Sequence, residues 1–514
     1  MQSVNAAFTA EEKDFTRRIV ENLLISWHRQ NVLGNKTFTI GVSTIGGNDI
    51  IGITAGAVGS PSNYKYFDES AYAMSLGWER GYNMPTGGLT MALAEAVLDN
   101  SSGRFTPRYM GGNSEISTAI LPSRPAIINA GFNIGGVNIS IPQFAGLISD
   151  QPEVGVRDRS VNLKLMDYVS YFKDKKLDTA VMFTGQRTDQ VLTTLSSLMG
   201  MNTAQYDYDT GVNLIPFGYF PVGTNFADAF GQLVEAEGGH YYQDESGTFK
   251  FENRYHWNSA PYTNVQMVIN TSQVIDAKSP DLSHLINLVE ITSNIRTKQT
   301  DQLLFTLASP LTLAPNTTTD LFVNFNDPIL ALDTPAYWVA NSISDGTGTD
   351  LTSSVTLKSY SAFAQAAKLT FNNSSSSTAY ITSLTLYGRP ALVSTNLYYR
   401  AKDDSSVTAY DTQILTLNND FIGSQIWAQT LSQMILNDFS DPSNIQQITI
   451  KAMPQLQLGD LISWQGRYWR IFDYKTTLDP SVGFTQDLLL LQKTITSYFR
   501  IGISTIGGSD KISP

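Results

Sequence analysis

The sequence predicts a mainly β protein with α+β parts: two similar small β-barrel domains, an α+β domain and an inserted β-sandwich. Three observations predict this fold class. Short apolar runs broken by glycines fill residues 38–99, and strand patterns return in residues 393–495. Residues 160–257 combine two amphipathic helices with a hairpin pattern. Residues 296–390 are rich in Thr, Ser, Asn and Leu, with almost no helical period.

Shifts in composition place the predicted domain boundaries. A chain of 514 residues is long enough for three or four domains. We expect an N-terminal helix, a first barrel, an α+β domain, strands returning to the core, an inserted sandwich, a second barrel and a C-terminal tail. In chain order these are residues 1–36, 37–159, 160–257, 258–295, 296–392, 393–495 and 496–514.

The composition indicates a protein that works among neighbours. Charged residues make up 16% of the chain, below the usual share of about a quarter, which suits a surface covered by other proteins. The net charge of −12 argues against tight sequence-specific DNA binding and is compatible with an acidic channel along which DNA slides. Cysteine is absent, which excludes disulfides and cysteine-based sites. Neither a signal peptide nor a membrane span is expected.

Residues 9–30 carry the pattern of an N-terminal helix. Thr9 and Glu12 can form a capping box. The apolar residues at four-residue intervals make one narrow stripe: they are Phe15, Ile19, Leu23 and Trp27. Such a helix docks either on its own first domain or on a neighbour in a ring, and the sequence leaves both alternatives open.

Two helices and a hairpin are predicted in the α+β domain. Thr188 can cap the first helix, which ends near Gly200. The second helix carries Phe230 on its apolar face and stops at Gly238. Residues 240–252 then alternate around a polar turn, which predicts a hairpin with a four-residue loop.

The most distinctive part of the last domain is a strand–turn–strand unit at residues 456–474. A helix with Trp427 on its apolar face precedes it and ends before Pro442. Gln465 and Gly466 can reverse the chain, and apolar residues occupy both faces of the hairpin. Both apolar faces of such a hairpin must be covered, one by the core of its own domain and the other by another domain or subunit. This interpretation assigns three residues to a partner interface: Trp464, Tyr468 and Trp469.

An internal repeat links the two ends of the chain. Residues 38–51 and 499–512 are identical at ten of fourteen positions. Each copy combines a short β run with a pair of glycines, which allows a sharp turn. We expect both copies to add as strands to equivalent sites on a partner. The expected contact residues are Phe38, Ile40, Gly46, Gly47, Phe499, Ile501, Gly507 and Gly508. The alternative is a glycine-rich tail that merely resembles the first strand.

No catalytic, cofactor-binding or metal-binding constellation is predicted. The P-loop, HExxH, GxSxG and CxxC patterns are absent. The four histidines lack metal-ligand spacing and are interpreted as structural: they are His28, His240, His256 and His284. Asp207 and Asp209 resemble half of a calcium loop without its closing glutamate, so a turn is favoured, with a weak cation site as the alternative. Two carboxylate pairs are interpreted as solvated surface charge rather than glycosidase groups: Glu235 with Glu237, and Asp244 with Glu245.

Several phrases resemble, in the expected order, the tail-tip hub proteins of tailed bacteriophages, that is, tail-associated or minor tail proteins with a core like the hub of contractile tails. They are LDNSSGRFTPR at 98–108, SRPAIINAGF at 123–132, IPQFAGLISD at 141–150, GGHYYQDESGTFKFENR at 238–254, and LGD with WQGRYWRI at 458–471. The resemblance covers most of residues 37–295 and 393–495. The insert is similar to galectin-like or carbohydrate-module decorations of tail proteins.

This resemblance implies a structural role without enzymatic activity. It implies a homotrimer whose two barrels per chain form a pseudo-sixfold ring around a channel for the tape measure protein and DNA, without specific DNA binding. The implied partners are the tail tube protein, the distal tail protein ring, the tape measure protein and a central fibre or tip protein. The implied location is the virion tail tip, assembled in the host cytoplasm, with a long non-contractile tail favoured. Larger relatives continue into a peptidase, lysin or fibre region, whereas this chain stops at Pro514, so lytic activity is not expected.

Two other functions are compatible with the sequence. A receptor- or carbohydrate-binding tail protein would use the insert, where Tyr337 and Trp338 could stack on a sugar. Against this stands the interpretation that both side chains belong to the core of the sandwich, which the sequence favours. A tail-bound cell-wall hydrolase is the third alternative, and the missing catalytic constellation argues against it.

Overall fold

The fold is that of a computed structural model, which describes residues 1–12, 17–27, 66–155, 157, 159–278, 282–335 and 337–493. Most of the ordered elements are strands arranged in several sheets, which confirms the mainly β class with α+β parts. No helix in the described parts of the chain is long and apolar enough to cross a membrane.

Most strands in the first part of the chain belong to one large sheet. Its elements are α1 (Ala6–Glu11), β1 (Ile19–Ile25), β2 (Phe67–Asp68), β3 (Ala73–Gly81), β4 (Gly88–Leu89), β5 (Leu93–Asp99), β6 (Pro125–Ile134), β7 (Val137–Ile148), β8 (Glu153–Val154) and β9 (Ser160–Met166). Alternate residues of β3 and β5 are buried, as expected for strands with one face on a core.

Helices and short strands alternate in the next part. They are α2 (Tyr171–Asp174), β10 (Val181–Arg187), α3 (Thr188–Leu198), β11 (Tyr206–Tyr208), β12 (Leu214–Phe220), α4 (Phe226–Glu237), β13 (His240–Gln243), β14 (Phe249–Glu252), β15 (Met267–Val268) and β16 (Val274–Lys278). The predicted hairpin is confirmed, because β13 and β14 pair antiparallel. The second predicted helix is α4, which ends at Gly238 with a left-handed backbone (φ +64°). The first helix begins at Thr188, but its N-cap residue is Arg187 rather than Thr188.

The remaining elements form the insert and the last domain. They are β17 (Leu288–Lys298), β18 (Gln302–Thr306), β19 (Leu311–Leu313), β20 (Thr318–Asn324), β21 (Ile329–Leu332), β22 (Tyr337–Asn341), β23 (Val355–Ala362), β24 (Ala366–Asn373), β25 (Ala379–Lys402), α5 (Asp404–Tyr410), β26 (Ile414–Asn418), α6 (Gln425–Phe439), β27 (Ile445–Lys451), β28 (Leu461–Trp464), β29 (Arg467–Asp479) and β30 (Gly483–Gln492). The predicted helix of the last domain is α6, and it ends before Pro442 as expected.

The expectation of two separate small barrels needs correction. Strands from both predicted barrels share one 14-stranded sheet with the order β16-β27-β30-β29-β3-β5-β9-β7-β6-β1-β2, and β8, β15 and β28 pair to its sides. The two parts meet where β3 pairs antiparallel with β29. Among the described residues this sheet does not close into a barrel, because its edges β16 and β2 are not paired with each other.

The N-terminal helix predicted over residues 9–30 is wrong. The chain forms the short helix α1, capped by the side chain of Asn5, and then the strand β1, which pairs with β6. Ile19 and Leu23 are four positions apart, and this spacing places residues on one face of a helix and equally on one face of a strand. Leu23 is fully buried in the strand. The pairing of β1 with β6 therefore determined the secondary structure where the local spacing fitted both a helix and a strand.

The insert has a hydrophobic core of its own. The sheet β20-β24-β23 faces a second sheet in which β18, β19, β21 and β22 pair with β25. The core between them is separate from the main core of the molecule. Its members include Phe325, Leu369, Phe371, Ile381, Leu384 and Leu386. A ribbon of β17 with the end of β25 leads from this sandwich back to the body. The domain boundaries given above remain predictions.

Candidate functional site

The aromatic hairpin of β28 and β29 is buried by the chain itself. Gln465 (φ +50°) and Gly466 (φ +73°) make its two-residue turn, as the sequence predicts. Trp464 and Trp469 are only 5% and 3% exposed. A second subunit is therefore not needed to cover these two rings, which removes the reason for assigning them to a partner interface. Tyr468 is 39% exposed and remains a candidate contact.

Residues 38–51 and 499–512 lie outside the described residues. The same holds for eight of the predicted contact residues: Phe38, Ile40, Gly46, Gly47, Phe499, Ile501, Gly507 and Gly508. His28 and the tail at 496–514 also lie outside the described part of the chain.

An acidic cleft lies where the β13–β14 hairpin meets the loop that carries the LGD phrase. Its volume is about 180 Å3. The cleft brings together carboxylates that the sequence treats as unrelated surface charges and turn residues. The acidic and basic side chains that line it are Asp207, Asp209, Asp244, Glu245, Lys250, Glu252 and His256. The sequence does not single out Glu252, and one of its partners, Tyr82, lies 170 positions away in the chain.

Glu245 joins the hairpin to the main sheet through a buried ion pair. Its Oε1 lies 2.7 Å from a guanidinium nitrogen of Arg80, and the side chains are 5% and 3% exposed. Tyr474 donates a hydrogen bond of 2.8 Å to Oε1, and Gln457 donates one of 2.7 Å to Oε2. Burial alone would raise the pKa of Glu245, but Arg80 and these donors hold it below its ordinary value. The prediction of solvated surface charge is wrong for this residue.

Glu252 and His256 form the second polar contact of the cleft. Glu252 accepts hydrogen bonds from the hydroxyls of Tyr82 (2.9 Å) and Tyr242 (2.7 Å). His256 places Nδ1 2.7 Å from Oδ2 of Asp209, and its Nε2 lies 3.3 Å from Oε1 of Glu252. Burial raises the pKa of Glu252. Burial would lower the pKa of His256, but the hydrogen bond to Asp209 and the charge of Glu252 raise it above its ordinary value.

Glu237 is also buried, which corrects the surface interpretation of its pair with Glu235. It accepts hydrogen bonds from the hydroxyl of Thr188 (2.7 Å) and from the backbone nitrogens of Val212 (2.7 Å) and Asn213 (2.9 Å). Burial raises the pKa of Glu237. This carboxylate ties the start of α3 and a neighbouring loop to the end of α4, so its role is structural.

The polar groups of the cleft hold separate parts of the chain together. Each of its buried carboxylates already has hydrogen-bond donors or a cation as partner. Within the described residues, no group of three or more His, Cys, Asp or Glu side chains could hold a metal ion. Residues from the α+β part, the first strands and the last domain all converge here. The network therefore fixes the α+β part on the main sheet.

The two aromatic residues proposed for sugar stacking face opposite ways. Tyr337 is 67% exposed on the outer face of β22. Trp338 packs against the core of the sandwich, with its ring 5.6 Å from that of Phe371 and Nε1 donating to the carbonyl of Val355 (3.3 Å). The interpretation as sandwich core is thus correct for Trp338 and wrong for Tyr337.

No protein-family profile matches the chain, and no curated protein matches it in sequence. Several solved structures are similar. One is the 43 kDa tail protein of prophage MuSo2 from Shewanella oneidensis, which is 10% identical, with 83% of this chain and 95% of that chain covered and a TM-score of 0.44. A tail protein from Neisseria meningitidis MC58 is 9% identical, with 84% and 94% covered and a TM-score of 0.43.

A third similar structure comes from a secretion system. It is a component of the type VI secretion system of E. coli with structural similarity to the bacteriophage T4 tail proteins gp27 and gp5. It is 7% identical, with 82% of this chain and 74% of that chain covered and a TM-score of 0.37. At such TM-scores the likeness carries no argument about residues or partners. These similar solved structures are phage tail proteins and a type VI secretion component similar to phage tail proteins, the class that the sequence phrases resemble.

Proposed function

We propose that this chain is a structural hub of a phage tail tip. Three copies form a pseudo-sixfold ring that joins the tail tube and the distal tail ring to the tip or fibre. The ring encloses the channel for the tape measure protein and DNA. The chain performs no enzymatic reaction, and it acts at the tail tip of the virion after assembly in the host cytoplasm.

The pairing of β3 with β29 is the observation that carries this proposal. Six residue pairs, from Leu76 with Leu478 to Gly81 with Asp473, join the two β units that the sequence separates by hundreds of residues. We call this pairing of β3 with β29 the joint. The buried pair of Arg80 and Glu245 fixes the α+β part to the same joint. Two β units held side by side in each chain supply six units when three chains surround an axis.

The net charge of the chain supports the proposed channel for DNA. A net charge of −12 disfavours tight binding of nucleic acid and lets DNA slide past an acidic wall. The partners of the carboxylates in the cleft support a role without catalysis, since groups held in ion pairs and hydrogen bonds serve packing.

The repeated segments remain proposed contacts with partners, together with Tyr468. We expect deletion of residues 499–514 to reduce incorporation of the protein into tail tips, as measured in purified particles. A deletion variant that is incorporated as well as the complete chain would refute the docking role.

The mass of the purified protein tests the ring. We expect sedimentation analysis to give three times the chain mass of 56.5 kDa, and negative-stain images to show a ring with a central hole. A compact monomer at micromolar concentration would contradict the hub.

A receptor- or carbohydrate-binding role is the second candidate function, and the exposure of Tyr337 is the observation that favours it.

A further inference from the structure

One outer face of the sandwich carries a group of exposed apolar side chains. Tyr337 is 67% exposed, Tyr387 40%, Leu303 53% and Val339 50%. Outward positions on a solvated sheet are usually polar, and here three adjacent strands break that pattern. We call this set, which lies on β18, β25 and β22, the tyrosine face.

Strand register makes these residues neighbours. Leu303 lies directly opposite Tyr387, and Val339 lies opposite Ser383. Tyr337 lies opposite Thr385, two residues from Tyr387. Directly opposed residues point to the same side of a sheet, as do alternate residues of one strand. The rings of Tyr337 and Tyr387 meet edge to face, with centroids 6.0 Å apart.

Polar groups are interspersed with these rings. Ser383 and Thr385 precede Tyr387 on the same face of β25, and Arg389 follows it at the next alternate position. The guanidinium of Arg389 lies 3.6 Å from Asp301, with the two side chains 43% and 59% exposed. The face thus combines aromatic surface, hydroxyls and a charge pair whose net charge is zero.

The size and charge of the face limit what can cover it. Two partly exposed tyrosines with one leucine and one valine present roughly 400 Å2 of apolar surface, half of what one partner buries in a stable protein interface. The paired charges give no attraction for a strongly charged ligand. A second copy of the chain or a charged polymer therefore fits this face poorly.

We propose that the tyrosine face binds a neutral polysaccharide. A sugar ring has a face of C–H groups, which packs on the tyrosine rings, and a rim of hydroxyls, which exchange hydrogen bonds with Thr385, Ser383, Arg389 and Asp301. Trp338 takes no part, because its ring packs on the core. This inference rests on the second candidate function and specifies its ligand. The hub role does not depend on it, so either can fail without the other.

Affinity electrophoresis of the complete chain tests the proposal, in native gels that contain dextran, galactan, mannan, hydroxyethyl cellulose or the acidic polymer alginate. We expect at least one neutral polymer to retard the protein. Tyr337→Ala and Tyr387→Ala should each raise the dissociation constant about tenfold. Phe322→Ala is the matched control, because Phe322 is 69% exposed on the other sheet of the same sandwich, and it should change nothing.

Four outcomes would overturn the proposal. The first is that no neutral polymer retards the protein, and the second is that alginate alone does. The third is an equal loss of binding in Phe322→Ala. The fourth is a lower sedimentation mass in Tyr337→Ala, which would show that the face joins copies of the chain. Circular dichroism confirms folding of each variant, which we expect because both tyrosine side chains point into solvent.

Discussion

The body of the molecule and the sandwich are stabilised in different ways. The body buries ion pairs and carboxylates where its parts meet, including Arg80 with Glu245. Within the described residues, the polar side chains buried inside the sandwich are Asn341 and Asn373, and its core is otherwise apolar. Apolar packing tolerates similar substitutes, whereas a buried charge that loses its partner is costly. Sensitivity to pH and to single charge changes should therefore concentrate in the body.

The largest expected effect comes from breaking the buried ion pair. Arg80→Met leaves Glu245 buried without its cation, and we expect the free energy of unfolding of the body to fall by about 3–5 kcal/mol. Denaturant unfolding measures this loss. The control is Lys368→Met, which breaks an exposed pair with Asp320 in the sandwich and should shift its unfolding little. Equal losses of unfolding free energy in the two variants would contradict the expected difference between the body and the sandwich.

A cavity in the sandwich should act on the sandwich alone. Leu369→Ala removes a fully buried side chain, and we expect the sandwich to lose about 2–5 kcal/mol of stability. Hydrogen exchange read by mass spectrometry should show faster exchange in peptides from residues 304–386. Protection of α4 should stay unchanged. Loss of protection in both regions would show that the two cores unfold as one unit.

The stability of the body should fall as the pH rises from 5 to 7.5. Burial raises the pKa of Asp167 from 3.8 to about 7, despite hydrogen bonds from Ala92 and Val169. The folded chain then binds a proton over a pH range in which the unfolded chain does not, so protonation favours folding and the advantage disappears as the pH approaches 7. This single group accounts for about 2 kcal/mol between these two pH values. Thermal unfolding across this range measures the slope.

The matched variant for this pH effect is Asp167→Asn, which cannot titrate. We expect it to flatten the dependence of stability on pH. Burial also raises the pKa of Asp473 to about 6, so a smaller slope of the same sign should remain. A slope that is unchanged in Asp167→Asn would assign the effect to other groups.

The smallest effect concerns the turn of the β28–β29 hairpin. Gly466 has φ +73° and no atom near the place of a Cβ, so Gly466→Ala adds backbone strain without a clash. We expect a loss of about 1 kcal/mol. Gly231→Ala, in α4 and also without a nearby atom, should instead stabilise the chain by up to about 1 kcal/mol. A loss of stability in both variants would point to packing rather than backbone strain.

The sequence predicted the features that depend on neighbouring residues. The hairpin at β13 and β14 and the end of α4 at Gly238 follow from local turn chemistry, and the structure contains both. A spacing of four residues, as between Ile19 and Leu23, fits one face of a helix and one face of a strand. The local pattern predicted a helix, and the structure has a strand. The choice depended on the pairing of β1 with β6, which local sequence does not reveal.

The acidic cleft could not be predicted from the sequence for a similar reason. Tyr474 donates its hydrogen bond to Glu245 across 229 positions of the chain, and no spacing rule connects such residues. The exposure of Tyr337 beside the partly buried Trp338 could have been predicted from the sequence. Adjacent residues of a strand point to opposite faces, so only one of the two could belong to the core.

The joint between β3 and β29 has a consequence for how the protein is made. Arg80 leaves the ribosome 394 residues before Tyr474, its neighbour in that joint. At ordinary rates of translation this interval lasts roughly 20–80 s. Throughout that time β3 has a free edge that can pair with a strand of another nascent chain. Production at low temperature with slow initiation, which keeps nascent chains apart, should therefore raise the soluble yield.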